Sequence, residues 1–225
     1  MRSFLLVTLL SALACSSQPA PRPAPASASS PTPAARSQAS AREESVETDE
    51  YTRYELLAPE TNSFRILYEV TAISPGATAF FNPIRKGSVA SGERVTDRMS
   101  GEELRFDVVS GEEARRTGFA RADLDTEYIR IRLPRPVPAS GGQVRLLIDK
   151  TYNDPKSYFA EGNAVVFTRS LGIRRNSVVL PAGYELVACN VPSQVLTESD
   201  GRIQVSFMNP GPGPAALTLR AKRLP

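Results

Sequence analysis

Over residues 63–73, apolar and polar side chains alternate: Phe64, Ile66, Tyr68, Val70 and Ala72 share one side, with Arg65, Glu69 and Thr71 on the other. A period of two over that length predicts a half-buried strand. Pro75-Gly76 closes it with a turn, and residues 77–81 then run apolar as far as Pro83. Leu104, Phe106 and Val108 alternate again behind a Ser100-Gly101-Glu102 turn. Further on, Ile129, Ile131 and Leu133 alternate with Tyr128, Arg130 and Arg132, and Val144, Leu146 and Ile148 follow across Gly141-Gly142. That order predicts a strand, a Gly-Gly turn and an antiparallel partner. One short helix is predicted where Ser110 and Glu113 make a capping box, Ala114-Arg115-Arg116 favours helix and Gly118 ends it.

Past a polar bridge at residues 152–156, short segments recur at 164–168, 177–180, 184–189, 194–198, 202–208 and 217–222. Their turns are marked by Pro181-Ala182-Gly183, by the hairpin signal Asp200-Gly201 and by a Pro/Gly-rich run at 209–214. Short strands at this spacing predict an all-β fold, an antiparallel β-sandwich with at most one short helix, rather than βαβ units. The polar bridge divides it into residues 51–155 and 156–225, read as two β-subdomains; one large domain is the alternative. No internal repeat of fixed period emerges.

The first fifty residues have a different character. Arg2 is followed by an apolar run over residues 4–13, and Ser11-Ala12-Leu13-Ala14 bring small residues up to Cys15. The run is shorter than the roughly 20 residues of a spanning helix, so residues 1–14 read as a secretory signal peptide. The cysteine at the cleavage point resembles the lipobox of bacterial lipoproteins, although Ala12 stands where that family usually has Leu. The resemblance implies that Cys15 carries acyl chains that anchor the chain in a lipid bilayer. Several chains on one residue suffice for stable anchoring, and Ser16 in place of Asp implies the outer membrane of a bacterial cell envelope, facing periplasm or surface. An ordinary signal peptide cut after Ala14 is the alternative.

Residues 16–45 hold six prolines and no large apolar side chain, so residues 15–50 read as a lipidated cysteine on a disordered Pro/Ala/Ser tether. Such a segment reaches about 30 Å as a flexible coil and about 90 Å as polyproline II. The acidic cluster Glu43, Glu44, Glu47, Asp49 and Glu50 reads as a solvated junction.

Composition narrows the chemistry. The net charge of +3 is spread among acids over 225 residues, with no basic stripe and no interleaved aromatics, so no nucleic-acid partner is expected. Of two cysteines, lipidation of Cys15 leaves Cys189 alone and no intramolecular disulfide. Histidine is absent, which removes Ser-His-Asp and Cys-His catalysis and zinc hydrolysis built on HExxH.

The order from Phe64 to Tyr152 contains "SGEELRF" at 100–106, an isoleucine-rich strand ending "LPRPVP" at 133–138 and "GGQVRLLIDKTY" at 141–152. It resembles the N-terminal β-domain of aminopeptidase-N-like metallopeptidases over less than half the chain. The resemblance implies a β-scaffold that packs against neighbouring parts. The family's zinc motif needs histidine, so no functional residue carries over.

Candidate residues are few. Asp123, Asp125 and Glu127 stand at alternate positions that calcium could use, but that ion takes six or more oxygens and no EF-hand glycine or distant Glu follows; a charged entry into the next strand is expected. Cys189 has no neighbouring motif to lower its thiol pKa and reads as a small buried hydrophobe. Glu102/Glu103 and Glu112/Glu113 suggest a glycosidase pair, yet sequence neighbours rarely face one substrate. Arg174-Arg175 could fork onto a phosphate or carboxylate, or simply sit in an exposed loop. The best binding face is the outward row Tyr128, Arg130 and Arg132, with Arg145 on the expected facing strand, since interfaces enrich Arg and aromatics. The sequence thus points to a membrane-tethered, non-catalytic binding or assembly module with an envelope protein partner and no cofactor. A histidine-free hydrolase using carboxylates or a Ser/Lys pair is the alternative, and a structural subunit of an envelope complex is a third.

Overall fold

Fourteen strands and one α-helix make up residues 49–225, the part of the chain described by this computed structural model. The signal segment, Cys15 and nearly all of the tether lie outside these described residues. β1 (Tyr51–Leu56) leads through a 3-10 turn at Pro59–Thr61 into β2 (Ser63–Ala72), followed by β3 (Ala79–Pro83), β4 (Val89–Asp97) and β5 (Phe106–Ser110). After α1 (Gly111–Arg116) come β6 (Glu127–Arg132), β7 (Val144–Asn153), β8 (Tyr158–Glu161), β9 (Ala164–Leu171) and β10 (Arg175–Val179). β11 (Tyr184–Cys189), β12 (Gln194–Thr197), β13 (Ile203–Met208) and β14 (Ala215–Arg223) complete the chain.

The strands form three sheets, ordered β12-β13-β10-β1-β2-β7-β4, β11-β14-β9-β8 and β3-β6-β5. Alternation decides which side of each strand is covered. β2 buries Phe64, Ile66, Tyr68 and Val70, and β7 pairs along its whole length, from Ser63↔Asn153 to Ala72↔Val144. One buried cluster draws on all three sheets, with Phe64 and Ile148 from the first, Phe167 and Leu219 from the second, and Ile129 and Ile131 from the third. Phe64 meets Phe167 edge to face at 5.2 Å across the sandwich. Each such ring contributes about 1.5–3 kcal/mol by leaving water. The fold is therefore an all-β sandwich with one short helix, as the alternating pattern requires. No helix among the described residues is long and apolar enough to cross a membrane.

Two expectations change. The chain does not divide near Pro155: β10 and β13 continue the sheet of β1, β2 and β7, β10 lies parallel to β1 with Tyr51↔Arg175 in register, and the described residues fall in one unit. Within the polar bridge that suggested a boundary, Asp154 is only 4% exposed and forms a buried hub with the following Ser157, also 4% exposed. Nor do β6 and β7 form a hairpin across Gly141-Gly142. β6 pairs with β3 and β5, while β7 lies between β2 and β4. Between them the chain is tied down at Val137, whose carbonyl accepts from Gly76 N–H and whose N–H donates to the Ala77 carbonyl.

The helix follows its signal, with Ser110 Oγ accepting from Glu113 N–H at 3.2 Å. Val109, Ala114, Ala122 and Tyr128 form a second small core under it. Gly111 permits this packing, because a Cβ there would lie 1.9 Å from the Asp123 carbonyl oxygen, a backbone atom that cannot rotate away. Gly111→Ala is expected to destabilise the protein by about 2–3 kcal/mol in urea denaturation. A change under about 0.5 kcal/mol, the size usual for surface sites, would mean that the helix does not pack as described.

Candidate functional site

The same alternation that builds the core carries two cations into it. On β7 the inward positions are Val144, Leu146, Ile148, Lys150 and Tyr152; on β9 they include Val165, Phe167, Arg169 and Leu171. Lys150 is 4% exposed and Arg169 is 8% exposed. Both line a cavity of about 200 Å³ to which β1, β2, β3, β7 and β9 all contribute. Its other walls are Thr52, Tyr54, Ile66, Tyr68, Asn82, Pro83, Arg85, Tyr152 and Ile173. All three sheets meet here.

Arg169 is held from both ends. Its Nη1 donates to Asp154 Oδ2 at 3.0 Å, and its guanidinium lies over the rings of Phe64 at 5.2 Å and Tyr152 at 5.4 Å. Asp154 is saturated: Ser157 donates through N–H at 3.1 Å and Oγ at 2.7 Å, and Ser88 Oγ donates at 3.0 Å. Burial pushes the Asp154 carboxyl up, but the bonds from Ser157 and Ser88 and the Arg169 charge outweigh it, and the pKa falls below the ordinary value.

Lys150 has no such partner. Its Nζ donates to Asn82 Oδ1 and lies 5.0 Å from the Tyr152 ring centre. No carboxylate among the described residues reaches it as an ion pair. Burial, and then the Arg169 charge, push the amine down to about 8, against a weaker opposing pull from Glu93. Burial raises the phenols of Tyr54, Tyr68 and Tyr152, so they remain neutral hydrogen-bonding groups at neutral pH. The cavity thus presents Lys150, Arg85, Arg169 and three phenols, and no acid among its lining residues. Such a surface attracts anions.

The residues expected to form a binding face are not brought together. Tyr128 is 4% exposed, with its hydroxyl accepting from Asp123 N–H at 2.8 Å and its ring edge-on to Phe119 at 5.5 Å. It points outward from the sheet, but α1 and the loop after it cover that side. Arg130 is engaged by Asp107 and, at 3.3 Å, by Glu113. Arg132 is exposed beside Leu104 and Phe106. Arg145 belongs to β7 in another sheet, where it pairs with Glu69 at 3.2 Å and Asp49 at 3.1 Å.

Of the other candidates, Arg175 binds Asp49 and the Glu50 carbonyl. Asp123 closes a turn by accepting from Asp125 N–H at 3.0 Å and Thr126 Oγ1 at 3.3 Å. No group of three or more Cys, Asp or Glu among the described residues is placed to hold a metal ion. Cys189 is half-buried, packed against the main core rather than enclosed by it. Cys15 lies outside the described residues. The sequence did carry a signal for the cavity: a lysine and an arginine in register with the apolar positions of two alternating strands.

No protein-family model matches the chain, and no curated protein does. Solved structures resemble it weakly. An M1 zinc metallopeptidase from Deinococcus radiodurans is 13% identical with a TM-score of 0.47, over 77% of this chain and 41% of that one. An aminopeptidase N family protein from Idiomarina loihiensis is 9% identical with a TM-score of 0.44, over 76% of this chain and 29% of that one. Both are of the metallopeptidase kind that the sequence pattern resembles, and this chain spans less than half the length of either. A likeness of this size carries no argument about the site, which rests on its own geometry.

Proposed function

We propose that this protein is a non-catalytic β-domain, tethered to the bacterial envelope through Cys15, that works by binding a small ligand in the cavity between its sheets. The observation that carries the reading is a cavity lined by Lys150, Arg85 and Arg169 with no acid among its lining residues. No serine or cysteine is among those residues, and the Lys150 ammonium is bonded to the Asn82 side chain rather than to a hydroxyl it could activate, as a Ser/Lys pair would require. Binding fits this chemistry better than turnover. The acyl anchor fixes the location and the Pro/Ala tether sets the reach. A protein partner in the envelope would meet β12, an edge strand whose four residues are all exposed, with Val195 48% and Leu196 46% accessible. Such an edge offers unpaired backbone groups for strand addition.

The test is to purify the full chain gently from its own cells, denature it and identify the released small molecules by mass spectrometry. The expected result is one compound near stoichiometric amount that the refolded protein takes up again unchanged. Chemical conversion of that compound, or release of nothing, would overturn the reading. The anchor has its own test. Cys15→Ala is expected to move the protein out of the membrane fraction, and unchanged fractionation would contradict lipidation.

A further inference from the structure

We infer that the cavity is a site for a small monoanion with a compact apolar body, an aromatic or branched carboxylate whose oxygens meet Lys150. The inference rests on the binding reading above and names the chemical class it left open.

Charge comes first. Of the three cations at the cavity, Arg169 is already neutralised by Asp154 at 3.0 Å. Lys150 is buried, and among the described residues it makes no ion pair. A buried ammonium without a counter-ion is costly, and a carboxylate delivered by a ligand removes that cost. Asn82 uses one of the three ammonium donors, so the others remain for an anion. Arg85 is exposed and its Nη1 donates to the Ser170 carbonyl at 3.4 Å, so water screens its charge; Lys150 is left as the buried, unpaired cation, which suits a monoanion better than a phosphate dianion. Size and wall chemistry come second. About 200 Å³ is below the roughly 300–1,000 Å³ of drug-sized sites, so the occupant is small. Ile66, Pro83 and Ile173 give the body an apolar bed beside tyrosine rings. A small inorganic ion would leave that bed unfilled.

The groups facing Lys150 are Tyr54 on β1, Tyr68 on β2, Asn82 on β3, Arg85 after it, Glu93 on β4, Tyr152 on β7 and Arg169 on β9. Burial raises the tyrosines above their ordinary value, so a change of affinity beginning near pH 8 belongs to Lys150. Above that pH the free site loses its proton, and affinity falls about tenfold per unit.

The experiment is calorimetric titration of the full chain with benzoate, its neutral amide benzamide, and inorganic phosphate. At pH 7 benzoate is expected to bind with a Kd below about 1 mM, with benzamide and phosphate at least about tenfold weaker. Lys150→Met should lose benzoate binding at least about tenfold, and the pH profile of the wild type supplies a second readout that needs no variant. Equal binding of benzoate and benzamide, retention by Lys150→Met, or no weakening above pH 8 would overturn the inference. Phosphate binding as tightly as benzoate would overturn the apolar body. Should all three probes fail while a neutral or cationic compound is released from the native protein, the anion assignment falls and the binding module stands.

Discussion

Lys150→Met is expected to stabilise the protein at pH 7 by about 1–2 kcal/mol, although it removes a charged side chain from a wall of the proposed site. The amine titrates at about 8 in the folded state, against about 10.4 in an unfolded chain. That difference corresponds to about 3 kcal/mol of destabilisation by the buried charge. Losing the ring contact with Tyr152 and leaving Asn82 Oδ1 without its donor takes back about 1–2 kcal/mol, and methionine fills nearly the same volume. The sign of the pH dependence follows from linkage. Below pH 8 both states hold the proton and the full cost of burial stands; between about 8 and 10.4 the unfolded chain holds more protons, so wild-type stability climbs with pH. Urea denaturation of both proteins at pH 7 and pH 9.5 should therefore show a stability gap that narrows as pH rises. A variant less stable than wild type at pH 7, or a gap that does not move, would mean that Lys150 is a structural residue.

Asp154→Ala should have the opposite and larger effect, a loss of about 3–5 kcal/mol, because it strands Arg169 as an unpaired buried charge. The same carboxylate orients Ser88 from the loop before β4 and Ser157 before β8, so its removal loosens segments that lie far apart in sequence. Asp154→Asn keeps the shape and removes the charge, and should fall between. Since the Asp154 pKa lies below its ordinary value, its contribution is present above the unfolded pKa of about 3.9 and is lost as pH falls through the folded pKa. Thermal melts from pH 7 to pH 2 should show wild type losing this contribution in acid and Asp154→Ala lacking that component. A loss under about 1 kcal/mol, typical of an exposed pair, would show that Arg169 finds other support.

What could be read from the sequence was local. Phe64 to Ala72 announced β2 by alternation alone, Asp200-Gly201 announced the β12–β13 hairpin, and Ser110 with Glu113 announced α1. Pairing between distant strands left no local mark. The parallel contact of β1 with β10 joins residues more than a hundred positions apart, and a two-glycine segment looked like a hairpin because period two says nothing about which sheet a strand joins. Burial of Tyr128 was hidden for a similar reason, since its cover comes from α1 and the following loop rather than from its own strand. The site was half legible. Lys150 and Arg169 break the apolar pattern of β7 and β9, but only the meeting of three sheets shows that both face one cavity. Stability given up at a specific position is what a functional site predicts.

Thermal unfolding of wild type and Lys150→Met, each with and without benzoate at pH 7, tests that exchange most directly. The account predicts that benzoate at about ten times its Kd raises the wild-type Tm by about 3–5 °C, while the variant melts higher on its own and does not respond. Equal shifts in both proteins, or a variant that melts below wild type, would contradict it.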